Sequence, residues 1–120
     1  MLTTGGTALN SLAKQIPDGT VIGVRGTGGA LAPASKFNDW FRAAYQKKFG
    51  EEPNFPAYYM AQSVLALKAA GDKAAAASKS APTADDIRKA LPGLDFETPA
   101  GKVYMDRHKG HQAVTEMAYG

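Results

Sequence analysis

The chain has 120 residues, of which 44% are hydrophobic and 21% charged, a balance typical of an ordinary folded domain rather than a disordered or fibrous segment. Its fourteen Lys and Arg residues are scattered, so the formal net charge of +3 does not predict a nucleic-acid-binding stripe. Because the sequence contains no cysteine, disulfides, thiolate metal sites and cysteine nucleophiles are excluded. Residues 1–6 carry neither a basic flank nor an apolar run, so no export signal is expected within this chain.

The first third of the chain predicts a helix end, a strand and a glycine-containing loop. Apolar residues recur at helical spacing over residues 8–16, and the Pro-Asp-Gly sequence at 17–19 stops that helix. Residues 20–24 are β-branched and bounded by glycine, as expected for a buried strand of an α/β sheet. Residues 25–33 contain three glycines without periodicity and should form the loop that leaves this strand.

Two helices are predicted next. The first begins after Ser35 as N-cap and ends at Gly50, with apolar and polar residues on opposite faces. We expect the aromatic stripe of that helix to lie in the core; it comprises Phe37, Trp40 and Phe41. The second helix should start near Ala57 and is apolar around most of its circumference, which predicts burial between layers. The alanine-rich residues 73–80 either continue this helix or fray, and we expect them to be mobile.

The last third predicts a short helix and a set of short strands. Thr83 and Asp86 form a start that is similar to a capping box, with Asp in place of the usual Glu or Gln, and Pro92 and Gly93 end the helix. Strands are expected over residues 96–98, 102–105 and 113–118, separated by turn residues.

This order of elements resembles a known family. The segments that carry the resemblance are a helix of the form F-x-x-W-F-x-x-x-Y-x-x-x-F-G at 37–50, a Tyr-rich helix after a Pro-containing link, FETPAG at 96–101 and KVYMD at 102–106. Over residues 21–120 the chain resembles the C-terminal third of the branched-chain amino acid binding family of periplasmic solute receptors, which includes relatives for amides, urea and aromatic acids. The resemblance implies an α/β fragment of a two-lobed binding fold, with helices packed on a small mixed sheet. Residues 1–120 are then one domain or a fragment.

The resemblance also implies a function. Family members trap a ligand when two lobes hinge shut, so the parent protein is expected to capture a small polar solute and pass it to the membrane permease of an ABC importer. The solute would be an amino acid, an amide or an aromatic acid, and the protein periplasmic or an extracellular lipoprotein. No cofactor, no nucleic acid and no enzymatic step is implied. Self-association through an exposed lobe face is a further expectation.

Candidate ligand-binding residues come from two segments. The resemblance implies that residues 55–59 present an aromatic side chain to the ligand, which singles out Phe55, Tyr58 and Tyr59. From helix geometry alone, Tyr58 and Tyr59 point about 100° apart, so either both pack internally or one faces the cleft. Gly28 belongs to a loop whose backbone could meet a carboxylate closely, although an ordinary strand-to-helix turn explains the glycines equally.

The sequence contains only weak patterns for dinucleotide binding, metal binding or catalysis. The glycine loop is not a dinucleotide fingerprint, because Leu31 occupies the position of its third glycine. Asp106, His108 and His111 are metal-ligand types, but their spacing in a turn does not predict convergence, so no metal site is expected. No serine lies in a nucleophile elbow with a nearby base, so no enzyme is predicted. The alternative function is a free-standing α/β interaction domain that pairs through its sheet edge.

Overall fold

A computed structural model of the chain describes residues 12, 14–21, 26, 28–78, 80–108 and 112–115. Over these residues the chain forms three helices and one three-stranded sheet, which confirms the α/β class. The helices are α1 (Lys36–Phe49), α2 (Phe55–Ala77) and α3 (Ala84–Ala90), and the strands are β1 (Asp95–Thr98), β2 (Gly101–Met105) and β3 (Ala113–Thr115). Most of the predicted first helix and of the predicted strand at 20–24 lies outside the described residues.

Helix α1 has the two ends that the sequence predicts. The Ser35 hydroxyl accepts a hydrogen bond from the Asn38 backbone N–H at 3.0 Å, which satisfies one of the free amides of the first turn. Gly50 adopts a left-handed conformation with φ of 77°, and its N–H donates to the Gln46 carbonyl at 2.9 Å. Glycine stabilises this end because it enters the left-handed region without a Cβ clash.

Helix α2 begins two residues earlier than predicted. Asn54 caps it by accepting a hydrogen bond from the Ala57 N–H at 3.2 Å, and Pro56 lies in the first turn, where its missing N–H leaves no bond unmade. The helix continues to Ala77, so residues 73–77 of the alanine-rich segment extend it. Alanine has the highest helix propensity and supports this extension with few side-chain contacts.

Helix α3 starts with the predicted capping box. The Thr83 hydroxyl accepts from the Asp86 N–H at 3.3 Å, while the Asp86 carboxylate accepts from the Thr83 N–H at 2.9 Å. The Thr83 hydroxyl also donates to the Asp86 carboxylate at 2.6 Å, and this bond, followed by the one from the Thr83 N–H, stabilises the ionised carboxylate and lowers the pKa of Asp86. At the other end of α3, the Lys73 ammonium of α2 donates to the Ala90 carbonyl at 3.0 Å and ties the two helices together.

The sheet is antiparallel in the order β1–β2–β3. A tight turn joins β1 to β2, in which the Thr98 hydroxyl donates to the Gly101 carbonyl at 2.6 Å and accepts from the Ala100 N–H at 3.2 Å. The three predicted strands are therefore confirmed, and residues 116–118 of the third lie outside the described residues. The resemblance implied a mixed sheet, whereas the described strands pair only in the antiparallel sense.

The core lies between α2, α3 and the sheet. Its buried residues are Ala70, Ala74, Ala90 and Leu94, with Ile87, Leu91, Phe96 and Met105 packed around them. Three of the four buried members are alanine, so the helices approach closely without large side chains between them. Burial of the single large member, Leu94, contributes about 2 kcal/mol relative to its exposure.

The core prediction is wrong in part, because the outer sides of α1 and α2 are exposed. Trp40 is 63% exposed and Val64 is 61% exposed, so the prediction that Trp40 is core and that α2 is buried all round is wrong for the described chain. Phe37 and Phe41 are half-buried. The physical reason is that amphipathicity reports which residues avoid water, while their burial needs a covering element, and no described element packs over this face. Although α2 has 23 residues, neither it nor the other described helices is apolar enough to span a membrane.

Candidate functional site

The four candidate ligand-binding residues lie together at the N-terminal end of α2. The glycine loop packs against Tyr58, since a Cβ placed on Gly28 would lie 3.1 Å from Cδ2 of that residue. The rings of Phe55 and Tyr59 meet edge to face, with 6.0 Å between their centroids. This arrangement shows proximity of the predicted residues, and their contact with a ligand stays a prediction.

Tyr58 is a buried residue that connects the segments of this region. Its side chain is only 1% exposed, and its hydroxyl donates to the Asn38 Oδ1 at 2.8 Å. Its ring lies against the glycine loop, where a Cβ on Gly28 would stand 3.1 Å from Cδ2. The Tyr58 ring also packs edge to face on Phe41, with 5.0 Å between centroids. One phenol therefore joins α1, α2 and the glycine loop.

The protonation of Tyr58 suits this role. Burial disfavours the charged phenolate and raises the pKa of Tyr58, while the nearby Gly29 backbone and the charge of Arg42 lower it by smaller amounts. Since the net direction is upward from an ordinary value near 10, the group is neutral at physiological pH and keeps the proton that it donates to Asn38.

Tyr59 occupies the opposite environment. Its side chain is 40% exposed, and its hydroxyl lies against Gly26, where an added Cβ would approach the oxygen to 2.7 Å. Gly26 is itself buried and has φ of 81°. Both the left-handed backbone and the nearby hydroxyl require glycine at this position. Phe55 and Tyr59 thus form an aromatic corner, half open to solvent, above the buried Tyr58.

Part of the backbone of the glycine loop is hydrogen-bonded within the loop, which bears on its interpretation as an anion-binding segment. It contains a short 3-10 helix, Gly29–Leu31, in which the Leu31 N–H donates to the Gly28 carbonyl at 3.1 Å. The Leu31 N–H is therefore used within the loop and is not a free donor for a carboxylate. Gly28 has an extended backbone, with φ of −170°, so the Tyr58 ring rather than backbone strain requires glycine there.

Asn38 is the residue of this region that sequence reasoning missed. It is 3% exposed and is one of three buried polar residues among those described, with Gln62 and Thr98. A signal for it exists in the sequence, because Asn38 precedes Phe41 by three positions and Tyr45 by seven. A polar residue on the apolar face of a helix needs a buried hydrogen-bond partner, and here the partner is Tyr58.

A separate apolar pocket lies between α1 and α2. It has a volume of about 480 Å³ and is lined by Phe37, Trp40, Phe41, Tyr45, Ala57, Met60, Ala61, Val64, Leu65 and Pro99. None of the described residues that line it is charged, so these residues offer no partner for the charged ends of an amino acid. Phe41 separates this pocket from the tyrosine site, because it lines the pocket and also packs on Tyr58.

Metal-ligand types do not cluster in the part of the chain that the structure describes. No group of three or more His, Cys, Asp or Glu residues there has the geometry to hold a metal ion. The Asp106 carboxylate instead accepts a hydrogen bond from the His108 backbone N–H at 2.8 Å, as in a local turn. His111 lies outside the described residues.

Comparisons with known proteins give a consistent result. A family model described as periplasmic binding protein matches residues 1–120. Among solved structures, an ABC transporter from Rhodopseudomonas palustris is 28% identical over 100% of the chain with a TM-score of 0.61. An ABC-type branched-chain amino acid transporter from the same organism is 31% identical over 68% of the chain with a TM-score of 0.57. No curated protein matches the chain.

The chain is much shorter than these neighbours. It spans 33% of the length of the first solved chain and 20% of the length of the second. The similarity therefore concerns one part of a larger binding fold.

The contact between Gly26 and Tyr59 can be tested against a matched glycine. Gly19 and Gly26 have nearly the same φ, 83° and 81°, but a Cβ on Gly19 would meet nothing within 4 Å. We expect Gly19→Ala to lower the free energy of unfolding by roughly 1 kcal/mol from backbone strain alone. Gly26→Ala should lower it further, because the Tyr59 ring must also move. Urea unfolding of the full-length polypeptide measures both; equal losses would contradict the contact.

Proposed function

Because the chain belongs to the periplasmic binding protein family, we propose that its protein is the solute-binding component of an ABC importer. The proposed solute is a small polar molecule: an amino acid, an amide or an aromatic acid. In this proposal the protein works in the periplasm, or outside the cell as a lipoprotein, and delivers the solute to a membrane permease. The family is one of binding proteins, and the proposed activity includes no covalent step.

The aromatic corner of Phe55 and Tyr59 is the observation that carries this proposal. It offers a partly exposed aromatic surface, the kind of lining that is common in sites for small ligands. Aromatic side chains have few rotatable bonds, so they lose little entropy when a ligand orders them. The buried Tyr58 lies next to the corner and is held by its hydrogen bond to Asn38.

Capture would proceed by closure of two lobes. A ligand that contacts the aromatic corner on one side and a second lobe on the other makes its full set of contacts only in the closed state. That difference in contacts stabilises closure without any chemical reaction. The 40% exposure of the Tyr59 side chain supports this picture, since it leaves surface for a ligand to cover.

Isothermal titration of the full-length polypeptide tests the proposal, with L-leucine, L-phenylalanine, acetamide, urea and benzoate as the panel. We expect one solute class to bind, and Tyr59→Ala to weaken its affinity roughly tenfold or more, as removal of an aromatic anchor does. Phe55→Ala should act in the same direction. Tyr104→Ala is the matched control, because Tyr104 is 41% exposed but lies in β2.

Two outcomes of that titration would count against the proposal. A folded protein that binds no member of the panel would contradict the solute-binding function. A solute that binds with the same affinity to the Tyr59→Ala and Tyr104→Ala variants would contradict the assignment of the aromatic corner as its site.

We also propose that the chain is the C-terminal portion of a two-lobed protein and that its outer face packs against the rest of the same lobe. The outer face is the exposed apolar surface of α1 and α2, formed by Trp40, Met60, Val64 and Leu67. Burying each such side chain contributes roughly 1.5–3 kcal/mol, so an uncovered face of this kind is unfavourable in water. The greater length of the solved neighbours is consistent with a covering element.

Thiol labelling tests whether the outer face is covered, and the absence of cysteine from this chain makes the readout specific. Val64→Cys and Ala76→Cys place a thiol at two exposed positions of α2. In the folded full-length polypeptide, we expect maleimide to modify the Val64→Cys thiol much more slowly than the Ala76→Cys thiol, as followed by peptide mass spectrometry. Equal rates would contradict a covered outer face and favour a free-standing domain.

A further inference from the structure

We infer that Asn38 is a positioning residue for the binding site: it holds the glycine loop in place through Tyr58, and the loop in turn fixes the Tyr59 side chain. This inference rests on the proposed function only in taking Tyr59 as the residue that faces the solute. Asn38 lies in the first turn of α1. It belongs neither to residues 55–59 nor to the glycine loop, the two segments that supplied the candidate ligand-binding residues.

The first step is the rigidity of Asn38 itself. Its backbone N–H donates to the Ser35 hydroxyl at 3.0 Å, so the capped first turn of α1 fixes the backbone at this residue. Its side chain is 3% exposed, and its Oδ1 accepts the Tyr58 hydroxyl proton at 2.8 Å. A hydrogen bond away from water has no solvent competitor and is costly to leave unmade. Asn38 therefore sets the position of the Tyr58 hydroxyl.

The second step passes from Tyr58 to the loop. The bond to Asn38 fixes the far end of the Tyr58 side chain and with it the plane of the ring. The ring lies against Gly28, closely enough that a Cβ there would stand 3.1 Å from Cδ2 and 3.3 Å from Cε2. The loop thus follows the Tyr58 side chain through direct packing.

The third step passes from the loop to the exposed tyrosine. Gly26 lies against the Tyr59 hydroxyl, where a Cβ would stand 2.7 Å from the oxygen. Two glycines of one loop therefore contact two consecutive tyrosines of α2, one buried and one 40% exposed. When the hydrogen bond from Tyr58 to Asn38 is removed, Tyr58 no longer holds the glycine loop in place. The Tyr59 ring then loses the fixed contact with Gly26 that sets its orientation.

Fluorine NMR of the full-length polypeptide labelled with 3-fluorotyrosine tests this inference, with the Tyr58 and Tyr59 signals assigned from Tyr58→Phe and Tyr59→Phe variants. We expect Asn38→Ala to move both signals. We expect Asn38→Asp, which keeps an acceptor oxygen in place, to return the Tyr59 signal toward its original position. Thr83→Ala is the control for general destabilisation, because it removes the cap of α3 and should leave both signals in place.

The outcomes separate clearly. A Tyr59 signal that stays in place while the Tyr58 signal moves would overturn the inference, since the loop would then not transmit the change. An equal movement in the Thr83→Ala variant would overturn it as well, because the effect would be general loosening. The experiment needs no solute, so a protein that binds nothing in the titration panel would contradict the proposed function and still give a result for Asn38.

Discussion

The hydrogen bond from the buried Tyr58 hydroxyl to Asn38 is the constraint on which the candidate site depends. It joins the first turn of α1 to the start of α2, and the glycine loop packs on the Tyr58 ring at Gly28. Asn38 is itself held by the cap of α1. A buried hydrogen bond is costly to leave unmade, so it selects one arrangement of the three segments.

In the proposed function, this fixed interior holds the exposed aromatic corner in one position for the ligand. Phe55 and Tyr59 lie at the end of α2 that the hydrogen bond from Tyr58 fixes to α1. We therefore expect the positions of these two side chains to be restrained as well. The far end of α2 is held differently, by alanine packing against α3 and by the bond from Lys73 to the Ala90 carbonyl. One helix therefore carries the candidate site at one end and the core of the chain at the other. Its outer face is exposed among the described residues.

Local signals in the sequence predicted much of this fold. The caps of α1 and α3 depend on residues within a few positions of one another, so Ser35, Gly50 and Thr83 could be identified without a structure. The exposure of Trp40 could not, because burial depends on what covers a helix and not on its own pattern. The partnership of Asn38 with Tyr58 spans twenty positions and was equally out of reach. The resemblance identified the tyrosine segment, but only coordinates separate the buried Tyr58 from the exposed Tyr59.

A double-mutant cycle between Asn38 and Tyr58 tests the central claim most directly. Asn38→Ala and Tyr58→Phe each remove the same hydrogen bond, so in the full-length polypeptide the double variant should lose less free energy of unfolding than the sum of the two single losses, by about 1 kcal/mol. Thr83→Ala combined with Tyr58→Phe is the control, and its two losses should add, because Thr83 caps α3 and shares no bond with Tyr58. Losses that add for Asn38 and Tyr58 as well would contradict the account.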